Sequence, residues 1–237
     1  MRCKRALVLS SMLILVVYVL FAVGANRAVT VIVENKETRP LRRIIIDAGH
    51  GGEDGGATSC SGVLEREMNL EVAKRLNDLL NFLGYQTIMI RTDDSAVHTE
   101  GRTIAQRKVS DLKNRVQLVN ETENALLLSI HQNYFTDSRY RGAQVFYANT
   151  EGSRRLAEMM QASFRNTINP GSSRIEKSAQ NIYLMDKINC DGVLIECGFL
   201  SNYHEESLLR NAEYQKKLSA VIATSVSTYL QENTVLT

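Results

Sequence analysis

The chain has 237 residues, 44% of them apolar and 23% charged, and a formal net charge of +2. That is enough apolar material for a sizeable core, and it rules out a disordered or low-complexity chain. Basic residues are spread along the sequence rather than massed, so nucleic acid is not an expected partner.

Residues 6 to 23, ALVLSSMLILVVYVLFAV, carry no charge and follow Arg2, Lys4 and Arg5. A run this close to a bilayer span, with positive charge before it, reads as a signal peptide or membrane anchor over residues 1 to 25. Either way the N-terminus stays on the cytoplasmic side and the remainder is exported. Residues 26 to 41 mix charges with Pro40 and read as a linker, although AVTVIV within it has the composition of an edge strand.

From residue 42 to residue 237, apolar β-type runs alternate with helical periodicity. RRIIIDAG is the first strand. EMNLEVAKRLNDLLNFLG then puts Leu70, Ala73, Leu76, Leu80 and Leu83 on one helical face, with Gly84 as its stop. YQTIMIR is a second strand; RKVSDLKNRVQLVN aligns Val109, Leu112, Val116 and Val119 as a second helical face; ALLLSIHQN is a third strand. GAQVFYA, a helix through Leu156, Met160 and Phe164, the short run NIYLM, the apolar run GVLIECGFLSN and a helix through Tyr214, Leu218, Ile222 and Tyr229 complete the order. Such alternation predicts an α/β fold: a single three-layer domain with a mainly parallel twisted sheet flanked by helices.

In an open α/β sheet, reactive groups gather beyond the carboxyl ends of the strands. His50 follows the first strand, His131 ends the third, and Glu196 lies near the end of GVLIE. Glu65 opens the first helix, where the glycine-rich GHGGEDGGATSCSG loop can turn its carboxylate back to the same edge. Two imidazoles and a carboxylate make a set that holds zinc and leaves a fourth position for water, and a second, non-ligating carboxylate can take that water's proton. Each residue also has a plainer reading. A lone strand-end histidine is commonly a hydrogen-bonded core residue, and Glu65 suits a helix start by the macrodipole alone. Glu196 resists the plain reading, since a carboxylate within VLIECGFL is costly to bury without a role. The glycine loop does not fit G-x-G-x-x-G, and no G-K-[ST] follows it. His98 and His204 lie in polar loops and read as solvated.

Among the cysteines, Cys3, Cys60, Cys190 and Cys197, no C-x-x-C pair occurs, so free thiols are expected. Cys197 is the one credible nucleophile of a cysteine hydrolase, but it lacks an evident base partner. Arg115 is a candidate to orient a substrate carboxylate, against the alternative of a solvated helix charge. Tyr134 and Phe135, directly after His131, are candidates for an exposed aromatic patch that binds substrate or a partner.

IDAGHGGEDGGA, EREMNL, SIHQN and LIECGFLSN, in this order, resemble the zinc-dependent N-acetylmuramoyl-L-alanine amidases of the third amidase family over about residues 43 to 232. The resemblance implies a Zn2+ site at the carboxyl edge of the sheet, with His50, Glu65 and His131 as ligands and Glu196 as catalytic base. TEGRTIAQRKVSDLKNRVQLVN, NIYLM and the short chain resemble the germination-specific branch of that family. That likeness implies removal of peptide stems from spore-cortex peptidoglycan, on the way to muramic δ-lactam. The implied partners are peptidoglycan glycan strands with peptide stems, an exported accessory protein, and the membrane through an uncleaved N-terminal segment. The implied location is the outer side of the membrane, in the forespore intermembrane space and cortex. Ala48 stands where the family commonly has proline, and Tyr134 and Phe135 where it has small residues, which bears on groove shape. The competing readings are a zinc carboxypeptidase or endopeptidase acting on the stem, and a non-catalytic membrane-tethered wall-binding protein.

Overall fold

A computed structural model describes residues 42–235. The expected signal or anchor over residues 1 to 25 and the linker over 26 to 41 lie outside the described residues. No helix among the described residues is long and apolar enough to cross a membrane.

Isoleucines 44 to 46 set the architecture. They sit in β1 (Arg43–Ala48), where successive side chains point to opposite faces, and all are fully buried. Ile44 and Ile46 join Leu126, Leu128, Val193 and Ile195 in one apolar cluster, while Ile45 joins Leu127 and Leu194 in another. The sheet therefore has a core on each side. The first is closed by α1 (Glu65–Phe82), α3 (Ser153–Thr167) and α6 (Ala212–Val235); the second by α2 (Ile104–Glu121) and the short α4 (Tyr183–Lys187). This is the three-layer α/β arrangement that the alternating runs predict.

The sheet has six strands in the order β2-β1-β3-β6-β4-β5, adding β2 (Gln86–Met89), β3 (Ala125–Asn133), β4 (Gln144–Tyr147), β5 (Lys177–Ser178) and β6 (Asp191–Phe199). β2, β1, β3 and β6 run parallel, and β4 pairs antiparallel to β6. In the register, Ala48 faces Ile130 and His131 faces Glu196, so the carboxyl ends of the three central strands are level. α5 (Tyr203–Leu209), capped by the Asn202 side chain, follows β6 directly.

Two helical faces differ from expectation. In α1, Leu70, Ala73, Leu76 and Leu80 are buried, but Leu83 is 49% exposed because the helix ends at Phe82 and Gly84 turns away with φ +87°. In α2 the helix is present, with Thr103 and Gln106 forming a capping box, but its buried stripe is Ser110, Asp111, Arg115 and Val119, while Val109 is 53% exposed. The valine spacing is helical, yet the buried face is chosen by a charge cluster that α2 presses against β1.

Candidate active site

β1 delivers His50 two residues past its end, and the backbone there is unusual. His50 has φ +63°, a left-handed conformation that non-glycine residues seldom adopt, and Gly51 and Gly52 follow with φ +137° and +57°. Gly49 is required for a different reason: a Cβ on it would lie 2.2 Å from both Cε1 and Nε2 of His131. The missing side chain lets the His131 ring lie against the loop. A Cβ on Gly56 would likewise meet the His50 ring and the Glu65 carboxylate, each at 2.6 Å.

Glu65, the first residue of α1, is turned back by this loop, and its carboxylate spans the two rings. Oε1 is 2.9 Å from His131 Nδ1, and Oε2 is 3.2 Å from His50 Nε2. The rings meet edge to face with centroids 5.0 Å apart. One ligand atom from each of His50, Glu65 and His131 lies within 4.8 Å of the other two, close enough to hold a metal ion. The surroundings fit that use. The backbone N–H groups of Ala57 and Gln132 and the Asn69 side chain donate to the Glu65 carboxylate, at 2.9, 3.2 and 3.2 Å. His50 turns its second nitrogen, Nδ1, to Asp54 Oδ2 at 2.9 Å, and Lys108 Nζ lies 3.0 Å from that same oxygen. A carboxylate on the far side of a ligating imidazole fixes its tautomer and orientation.

The electrostatics agree with the geometry. Burial works against a charged imidazole at His50, but the hydrogen bonds and charges of Asp54 and Glu65 outweigh it and raise its pKa to about 9. Burial also works against a charged Glu65, and the two histidines overcome it, holding the carboxyl well below the usual range. The cluster thus favours a positive charge between an ionised carboxylate and two imidazoles, and a divalent cation would supply one.

Glu196 stands beside His131 in the β3–β6 register, and side chains at paired positions of neighbouring strands share a face. Its Oε2 is buried with no hydrogen-bond partner. Burial, with the Glu65 charge adding to it and the histidines opposing, pushes its pKa up to about 7. A buried carboxylate oxygen without a donor costs free energy, and here it stands in register with His131.

Arg115, the candidate for a substrate carboxylate, is only 2% exposed. Its guanidinium pairs with Asp47 and with Asp111, at 2.6 Å, and donates to the carbonyls of Ala48 and His50. It lies under the loop rather than at its mouth, and a substrate-orienting role does not fit that position. A salt-bridged arginine here can stay buried because two carboxylates neutralise it. Tyr134 and Phe135 are 51% and 48% exposed. Phe135 packs edge to face on Tyr140 at 4.7 Å, and Tyr140 lies 6.1 Å from the Phe199 ring. A groove of about 940 Å³ continues from Tyr140 past Arg141, Asn169, Arg174 and His204. His204 is exposed as expected, whereas His98 is half-buried and its Nδ1 has no partner. Cys60, Cys190 and Cys197 are free thiols. Cys197 is fully buried, and burial, together with the Glu196 charge, pushes its thiol up to about 12, which is unsuited to a nucleophile.

Sequence reasoning missed Asp54, Asn69, Arg91 and Gln132, all of which touch the site's side chains or backbone. Asp54 had a readable signal, an acid four residues beyond a loop histidine. The others depend on contacts between distant positions.

Residues 44–228 match the model of the Amidase_3 family, N-acetylmuramoyl-L-alanine amidase, and the chain belongs to this family. It is 38% identical over 191 residues to the germination-specific N-acetylmuramoyl-L-alanine amidase of Bacillus subtilis, covering 80% of each chain. Among solved structures it resembles the CwlD amidase of Clostridioides difficile in complex with the GerS lipoprotein, with 36% identity, a TM-score of 0.77, and coverage of 80% of this chain and 98% of that one. It also resembles an N-acetylmuramoyl-L-alanine amidase of Clostridium difficile 630, with 30% identity, a TM-score of 0.71, and coverage of 81% and 98%. The reaction of this chain is therefore that of a peptidoglycan N-acetylmuramoyl-L-alanine amidase.

Proposed function

We propose that the chain removes peptide stems from spore-cortex peptidoglycan, using zinc held by His50, Glu65 and His131 and Glu196 as the general base. The observation that carries the catalytic part is the unpartnered, buried Glu196 oxygen beside His131. When bound, zinc would polarise the amide carbonyl and make water a stronger acid. Glu196 then takes the proton of the attacking water and passes it to the departing amine of L-alanine, a double task open to a carboxylate whose pKa lies near neutrality. Asp54 holds the His50 ring, while Ala57, Asn69 and Gln132 hold Glu65, so neither needs to reorganise during the reaction. Tyr134 and Phe135 offer exposed rings to the glycan.

The cortex role is supported by the 38% identity to the germination-specific amidase. An exported accessory protein as partner is supported by the C. difficile relative, whose structure was solved with a lipoprotein. Residues 1 to 25 serve as signal or anchor, 26 to 41 as linker and 42 to 237 as catalytic domain, placing the enzyme outside the membrane, in the forespore intermembrane space and cortex. Digestion of purified cortex peptidoglycan, followed by mass analysis of the muropeptides, tests the reading. Intact stems should be released with a free L-alanine amino group, from glycan that gains no new reducing ends. Fragments cut within the stem would instead identify a carboxypeptidase or endopeptidase.

A further inference from the structure

Three successive carbonyls at the root of the metal-site loop each accept a hydrogen bond from a buried guanidinium. Ala48 O receives Arg91 Nε at 2.8 Å and Arg115 Nη1 at 3.1 Å; Gly49 O receives Arg91 Nη2 at 3.0 Å; His50 O receives Arg115 Nη2 at 2.7 Å. Both arginines are nearly inaccessible, at 3% and 2% exposure. They arrive from different elements, Arg91 from just past β2 and Arg115 from α2, and converge on one turn of the chain.

The two are held differently. Arg115 is neutralised by Asp47 and Asp111, and Asp47 is itself fixed by the Ser129 hydroxyl at 2.7 Å. Arg91 has no such partner: its remaining bonds go to the carbonyls of Asp93 and Arg66, both at 2.8 Å. Burial and the neighbouring Arg115 charge both depress its pKa. The charges of Asp47, Asp94 and Asp111 offset part of the cost of burying it without touching the guanidinium, and all its hydrogen bonds go to backbone oxygens. Those oxygens belong to the turn that puts His50, a residue with a Cβ, at φ +63°. Gly49 O also accepts from Asn69 Nδ2 at 3.2 Å, whereas no other side chain among the described residues donates to the carbonyls of Ala48 and His50; loss of the guanidinium donors would free His50 to relax towards an ordinary conformation, with its Nε2 moving away from Glu65.

We propose that Arg91 and Arg115 form a positioning clamp that locks the left-handed backbone of His50 and thereby sets the zinc affinity of the site. The proposal rests on the reading that His50, Glu65 and His131 hold zinc. Neither arginine contacts the reacting atoms; both act through the His50 backbone. Lysine keeps the charge but loses the fork that reaches several carbonyls at once.

The test is an equilibrium competition for zinc between a chromophoric chelator and wild type, Arg91→Lys, Arg115→Lys or His131→Ala, with circular dichroism on the same samples reporting the folded fraction. The lysine variants should stay folded and bind zinc 10- to 100-fold more weakly, the range for loss of an outer-shell support. Their cobalt-loaded forms should show an altered visible spectrum. Should Arg115→Lys fail to fold, Arg91→Lys carries the test, because it breaks no carboxylate pair. Folded lysine variants that match wild type in zinc affinity overturn the clamp, while loss of zinc by His131→Ala still upholds the ligand assignment. A wild-type protein that takes up no zinc overturns the assignment and the clamp with it.

Discussion

Replacing Glu196 by glutamine in the chelated, metal-free protein changes how its stability depends on pH. In the folded state the Glu196 carboxyl has its pKa raised from the ordinary 4.5 to about 7, chiefly by burial. The fold therefore favours the neutral acid. This group's contribution to stability is fully present below pH 4.5 and is lost as pH rises through 7. A shift from 4.5 to about 7, at about 1.4 kcal/mol per unit, puts the ceiling of that loss at about 3 to 4 kcal/mol. Glutamine keeps the size and never ionises, so Glu196→Gln should gain on wild type by about 1 to 3 kcal/mol between pH 4.5 and pH 8. Titrating groups remote from Glu196 affect both proteins alike and cancel; His50, Glu65 and His131, which act on its charge, do not, so the comparison reports the coupled cluster. Urea denaturation of both at matched pH values measures the difference, and excess zinc should shrink it, since a cation favours the carboxylate. A stability difference that stays constant from pH 4.5 to 8 would refute a buried, unpartnered carboxylate at this position.

Gly49→Ala should weaken zinc binding at least tenfold without unfolding the domain, because the new methyl falls 2.2 Å from two atoms of the His131 ring; unchanged affinity in the chelator competition would show that the ring is free to move. Cys197→Ser should keep most of the amidase activity while losing roughly 1 to 3 kcal/mol of stability to a buried hydroxyl, and activity as low as that of Glu196→Gln would bring a thiol nucleophile back. Alanine at Tyr134 and Phe135 should raise KM for polymeric peptidoglycan several-fold with little change in kcat, a loss of binding shared by ground and transition states; identical KM values would retire the aromatic patch as a glycan contact.

The fold was legible because its signals are local. Three isoleucines followed by a glycine-flanked histidine can be read as a buried strand feeding a loop, and the leucine spacing of α1 fixes its face down to Leu80. Glu196 stood out for a similar reason, a carboxylate in an apolar run. What stayed hidden depends on pairs far apart in sequence. The buried stripe of α2 is rotated by Arg115 meeting Asp47, 68 positions earlier, so the valine periodicity found Val119 but also claimed Val109, which is exposed. The same pairing explains why Arg115 is inside rather than on a substrate surface. Gly84 stops α1 as its spacing suggests, but Leu83, one residue past the last helical residue Phe82, leaves the buried face that its helical spacing implies. The antiparallel placement of β4 beside β6 likewise has no signature in GAQVFYA itself.

The division of labour between three ligands and one base is tested most directly by measuring zinc content and L-alanine amino-group release in parallel for wild type, His131→Ala and Glu196→Gln. Wild type should carry one zinc per chain and His131→Ala none. Glu196→Gln should hold zinc at wild-type stoichiometry while its rate falls by on the order of 10² to 10⁴, the usual contribution of general acid–base catalysis. Near-normal release by Glu196→Gln would contradict the base assignment, and loss of its zinc would make Glu196 a ligand instead.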